Sequence, residues 1–125
     1  MTRAIVVATH APEPVGPYAH AVFGPGGALF LSGQTPIDPA TGKLVDGDVA
    51  EQTRQVFANL RSVLAAAGRT LDDVVKVTVY LVDMNDFAVM NSVYAQTFDA
   101  PFPARTTVAV AGLPLGARVE IELVA

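Results

Sequence analysis

Pro101 to Ala125 reads PFPARTTVAVAGLPLGARVEIELVA, a stretch in which two arginines and two glutamates punctuate segments that otherwise read as buried strands. Alternate side chains of a strand share a face, so Arg105, Thr107 and Ala109 point one way while Thr106, Val108 and Val110 point the other. The same parity in ARVEIELV gives an apolar face of Val119, Ile121 and Leu123, with Arg118, Glu120 and Glu122 opposite. One sheet therefore gathers a guanidinium and carboxylates. A guanidinium fork is always charged and meets a carboxylate through two parallel hydrogen bonds. Arg105 thus reads as an anchor for a small carboxylate ligand near a general acid or base. On spacing alone Arg105 equally fits a cross-strand ion pair with Glu120 or Glu122.

Working back from this stretch, residues 3 to 8 (RAIVVA) form a first strand, and HAPEPVGPY is an extended loop from which Tyr18 emerges. Residues 19 to 24 and 28 to 32 read as a hairpin closed by Gly24 to Gly27, followed by a long loop, SGQTPIDPATGKLVDG. Val49, Thr53, Val56, Leu60, Val63, Leu64 and Ala67 recur at helical spacing. Asp48 caps this helix, Glu51 completes an acidic capping box, and Gly68 takes the left-handed position after its end. VVKVTVYLV, residues 74 to 82, is apolar on both faces, as a central strand is. A second helix begins between Asp83 and Asp86, with Phe87, Met90, Tyr94 and Phe98 on one stripe and Asn91 at its border. The last strands span 104 to 110 and 117 to 124. The order β-β-β-α-β-α-β-β predicts a mixed α+β sheet with two helices on one face and the other face free for subunit packing.

The chain has 125 residues, within the usual size of a single domain. Charged residues make up 16% against 51% hydrophobic, where an average domain carries roughly 25% charged residues. So few charges leave apolar surface outside a small core, which predicts a tight homo-oligomer. The net charge is −4 and the eight Lys plus Arg form no basic stripe, so nucleic acid and anionic membrane are poor partners. There is no cysteine, which excludes disulfides and thiolate catalysis and fits a reducing compartment. No run approaches the roughly 20 apolar residues of a membrane span, so the expected location is the cytoplasm. His10 and His20 stand apart from any metal-ligand pattern.

GPY (Gly16 to Tyr18), LFLSGQTPIDPATG (Leu29 to Gly42), DFAVMNSVY (Asp86 to Tyr94) and FPARTTVAVAGLPLGARVEIE (Phe102 to Glu122) together resemble the Rid/YjgF family of reactive-intermediate deaminases, most closely its RidA branch. The resemblance spans nearly the whole chain. It implies a chorismate-mutase-like fold, a homotrimer with active sites between subunits, and no cofactor. It also implies hydrolysis of enamines and imines such as 2-aminoacrylate and 2-iminopropionate to 2-keto acids and ammonia. Carried over, the signature arginine is Arg105, the site tyrosine Tyr18 and the water-linked glutamate Glu120. Ser32, Gly33 and Asn91 fall on pocket positions, and Thr107 stands in the binding region where many members carry cysteine. In that fold the last two strands are not direct neighbours. The sequence also admits a carboxylate-binding module that senses a keto acid without turnover, and, against its acidic balance, an endoribonuclease.

Overall fold

The computed structural model describes residues 2–125. Strands β1 (Ile5–Val6), β2 (Ala21–Phe23) and β3 (Leu29–Gln34) form an antiparallel run, and a small separate hairpin, β4 (Ile37–Asp38) with β5 (Lys43–Leu44), follows. Helix α1 (Val49–Ala66) leads to β6 (Lys76–Leu81), then helix α2 (Phe87–Thr97), β7 (Ala104–Ala109) and β8 (Val119–Val124). The main sheet has six strands in the order β1-β2-β3-β8-β6-β7. All its neighbours are antiparallel except β6 and β7, whose parallel pairing is made possible by the crossover through α2.

One face of the sheet is dry. Leu29, Leu31, Val77, Val79, Leu81, Val119, Ile121 and Leu123 pack there against Val56, Phe57, Leu60, Val63 and Leu64 of α1 and Met90 and Tyr94 of α2. Phe57 meets Tyr94 and Phe98 edge-on at 6.0 and 5.6 Å, the geometry that aromatic quadrupoles favour. Truncating fully buried Leu60 to alanine costs about 2–5 kcal/mol by lost transfer energy and cavity. Two polar groups lock the covering layer to the sheet. Asn59 donates to the carbonyls of Thr35 and Ile37 at 3.2 and 2.8 Å, and Arg118 pairs with Asp86 at 2.8 Å.

The opposite face is open. Register places Ile5, Val22, Phe30, Val124, Lys76 and Ala104 in one row across it, and Glu122, Thr78 and Thr106 in the next. A third row holds Glu120, Tyr80 and Val108. Ile5 is 55% and Phe30 50% exposed on this face, so the apolar surface expected from composition is present.

The predicted elements all occur, with shorter ends. The first strand is Ile5–Val6 alone, and the long loop after β3 contains the β4–β5 hairpin that sequence spacing did not reveal. Asp48 accepts from the Glu51 amide at 3.0 Å as expected, but the Glu51 carboxylate turns to Arg54 at 2.6 Å instead of closing the box. Gly68 takes φ 74, the left-handed end required of it. Within residues 74 to 82, Lys76–Leu81 forms the inner strand β6, flanked by β8 and β7. It is not apolar on both faces in effect, because Lys76, Thr78 and Tyr80 line the open side. β7 and β8 are separated by β6, as the family resemblance implied.

Candidate active site

Arg105 lies directly across from buried Val77 in the parallel β6–β7 register, so its side chain rises on the helix-covered face. There α2 receives it. The guanidinium carbon sits 4.5 Å from the Tyr94 ring centroid and 5.6 Å from that of Phe87, and Nη1 donates to Asn91 Oδ1 at 2.7 Å. A cation held over ring faces gains about 0.5–2 kcal/mol, enough to bias the rotamer of a long side chain. The stripe residues Phe87 and Tyr94, read from sequence as core alone, therefore also seat the arginine. Asn91 projects at the stripe's border as its spacing predicted, and the arginine supplies the partner its amide needed.

Among the described residues no carboxylate neutralises Arg105. The ion pairs among them are Arg54 with Glu51 and Arg118 with Asp86, so the cross-strand pair that spacing allowed does not form. The remaining N–H groups of the fork bond to no described residue and border a hollow of about 440 Å³ lined by Asn91, Tyr94, Ala95, Phe102, Pro103 and Arg105. Two hydroxyls in this region, Tyr94 Oη and Thr107 Oγ1, are buried without a hydrogen-bond partner. Burial raises the Tyr94 phenol pKa above its ordinary value, and the Arg105 charge opposes that rise. The phenol is therefore a neutral hydroxyl at physiological pH.

Glu120 stands on the other face, opposite Tyr80 in the β6–β8 register. A second hollow, about 270 Å³, is lined by Glu120, Tyr18, Ser32, Gly33, Thr35 and Pro114, together with Val15. Its geometry depends on Gly33, because a Cβ built there would lie 2.1 Å from Glu120 Oε2. Only a residue without that atom lets the carboxyl rest against the bulged β3 backbone. Burial first, and the neighbouring Glu122 charge second, raise the Glu120 pKa above the ordinary carboxylate value. Ser32 donates to the Ala19 carbonyl at 2.7 Å and Tyr18 Oη accepts from the Val15 amide at 3.1 Å, so both are tied to the loop that edges the hollow. His20 also serves that loop. Its Nδ1 accepts from the Ala8 amide at 3.2 Å and its Nε2 lies 2.8 Å from the Pro12 carbonyl, which makes it a loop clamp.

One sheet does gather the guanidinium and the carboxylates, and within a single chain they lie on its opposite faces. Arg105, Asn91 and Thr107 belong to the helix-covered side, whereas Tyr18, Ser32, Gly33 and Glu120 belong to the open side. Parity held for Arg105, Glu120 and Glu122, whereas Arg118, read with the glutamates, precedes β8 and turns to Asp86 at the start of α2. The phase between strands separated by β6 could not be read from the sequence. Sequence reasoning also passed over Tyr80, whose hydroxyl donates to Glu122 beside Glu120. Its position opposite Glu120 becomes visible only once β6 and β8 are known to pair. Among the described residues no group of three His, Cys, Asp or Glu is placed to hold a metal ion, and no helix is long and apolar enough to cross a membrane.

The fold is one found in known proteins. The endoribonuclease L-PSP family profile matches residues 8–125. A RutC family protein of Pyrococcus horikoshii is 51% identical over 98% of this chain and 97% of its own. The 2-iminobutanoate/2-iminopropanoate deaminase of Bos taurus is 46% identical over all of this chain and 90% of its own. A crystal structure of a protein of unknown function from Yersinia pestis, of the conserved Rid protein family, superposes with a TM-score of 0.94 at 44% identity, covering 99% of this chain and 98% of that one. The chain belongs to the YjgF/Rid family.

Proposed function

We propose that this protein hydrolyses reactive enamines and imines of the 2-aminoacrylate and 2-iminopropionate type to 2-keto acids and ammonia. The observation that carries the reading is an arginine fork seated by Asn91 and two rings yet unneutralised by any carboxylate among the described residues, with a carboxyl of raised proton affinity, Glu120, in a separate hollow. The active site is then composite, with Arg105, Asn91 and Thr107 of one protomer facing Tyr18, Ser32, Gly33 and Glu120 of the next. A contact that joins two different patches of the same chain is head-to-tail and forms a ring when its rotation closes. Three protomers form that ring here, packed through the open sheet face that exposes Ile5, Phe30 and Val108.

Arg105 takes the substrate carboxylate bidentately, and the Gly33 backbone helps position it. Glu120 accepts a proton from water as its oxygen bonds to the imine carbon, giving a carbinolamine. That proton passes to nitrogen. As the C–N bond breaks, the carbinolamine hydroxyl gives its proton to Glu120 and its oxygen closes the C=O, leaving the keto acid. Ammonia departs, taking up the Glu120 proton as ammonium. Such general acid–base help contributes roughly 10²–10⁴ in rate. Iminium carbons are already electrophilic, so no cofactor is required. The relatives named deaminases support this chemistry, while the endoribonuclease description fits poorly with a net charge of −4. A carboxylate sensor would need Arg105 but no elevated carboxyl.

The test is to generate 2-iminopropionate in situ with an amino-acid oxidase and follow imine loss. Faster loss on adding this protein supports the reading. A loss rate identical to the protein-free control, from a folded oligomer, ends it.

A further inference from the structure

The open face carries a feature that the hydrolytic reading does not use. Glu120 and Glu122 occupy alternate positions of β8, about 7 Å apart at the usual strand rise, and point to the same side. The Tyr80 hydroxyl, from the strand between β8 and β7, donates to Glu122 Oε1 although register sets Tyr80 opposite Glu120. The phenol therefore bridges diagonally and pins Glu122 beside its neighbour. Glu120, in contrast, accepts no hydrogen bond from a described residue, resting on the Gly33 backbone.

Other groups that face Glu120 do not offset this pair. Ser32 Oγ donates to the Ala19 carbonyl and Tyr18 Oη accepts from the Val15 amide, and neither supplies a cation. Thr106 and Val108 supply no charge from β7. Lys76, four residues from Tyr80 on β6, lies about 13 Å along the strand and donates to Thr106. Arg118, at the entry to β8, is committed to Asp86.

We propose that Tyr80 and Glu122 are positioning residues for Glu120: the phenol holds the Glu122 charge in place so that Glu120, and not Glu122, exchanges the proton with water. The inference rests on the hydrolytic reading above and adds to it a reason for the choice between two adjacent carboxyls. The phenol is suited to the task because its bond to Glu122, then burial, then the charges of Glu122 and Glu120 raise its pKa and keep it a donor. Removing the Glu122 charge, or releasing it to swing into solvent, lowers the proton affinity of Glu120.

The sign follows from Glu120 acting as a base. In the wild type the rate falls on the acid side as Glu120 protonates, at a pH above the ordinary carboxylate range. Glu122→Gln moves this acid limb of kcat/KM to lower pH by roughly half a unit to one unit, with turnover retained. Tyr80→Phe moves it the same way by less. A ¹³C titration of the Glu120 carboxyl by NMR, in wild type and Glu122→Gln, follows the same shift without depending on turnover. An acid limb and a carboxyl midpoint unmoved in both active variants overturn the pairing and leave the hydrolytic reading standing. A wild-type protein that does not hydrolyse the imine overturns that reading and the catalytic role with it, and the titration then decides the electrostatic coupling alone.

Discussion

The two hollows are built on different principles. Around Arg105 the protein supplies a charge and uses neutral groups to hold it: an amide oxygen, two ring faces and a strand beneath. Around Glu120 it withholds support from a charge, through burial, a glycine wall and a like-charged neighbour. The first region is thus fixed in ionisation and geometry, while the second is poised to change its ionisation. A permanent cation suits binding, and a carboxyl with elevated proton affinity suits proton exchange.

The sharpest way to break this contrast is to remove the fixed charge. Arg105→Ala is expected to abolish 2-iminopropionate hydrolysis in the oxidase-coupled assay, with oligomeric size by light scattering unchanged. Residual turnover near the wild-type rate would show that the fork is only structural. Next in size is Glu120→Gln, which keeps shape and removes the base. It is expected to lower kcat by about 10²–10⁴ with KM nearly unchanged. A loss confined to KM would instead make Glu120 a binding group and favour a sensor.

Gly33→Ala attacks the poised region through space alone. The new Cβ drives the end of the Glu120 side chain aside, and because that end is flexible the fold adapts. A fall in kcat of about tenfold or more is expected with Tm within a few degrees of wild type by calorimetry. Asn91→Leu removes the hydrogen bond that aims Arg105. Hydrogen bonds to charged groups are worth about 1.5–3 kcal/mol, so a rise in KM of about tenfold to a hundredfold is expected. The smallest effect belongs to Thr107→Val, which replaces a buried hydroxyl lacking a partner by a methyl of similar shape. Tm is expected to hold or rise by a few degrees. A raised KM in this variant would show that the hydroxyl is reserved for the ligand.

Much of this was legible in the chain. The α1 stripe, its Asp48 cap and its Gly68 ending follow from local chemistry, and the structure carries all three. The placement of Asn91 beside the apolar stripe follows from helical spacing in the same way. What sequence could not supply was phase between non-adjacent strands. Arg105 and Glu120 each obey the alternation of their own strand, but which face each takes depends on β6, which pairs in parallel with one and antiparallel with the other. The β4–β5 hairpin was hidden for a related reason. Two-residue strands are stabilised by Asn59 reaching from α1 to the Thr35 and Ile37 carbonyls, a contact across more than twenty positions.

The crossover through α2 has a consequence for how the molecule assembles. Every group that seats Arg105 comes from the contiguous segment 76 to 109, so its contacts close short loops and can form early. The Glu120 hollow joins residues near both ends of the chain and waits on the docking of β3 with β8. Pulsed hydrogen exchange during refolding is therefore expected to protect β6 and β7 before the amides of β3, with the Arg105 hollow maturing ahead of the Glu120 one.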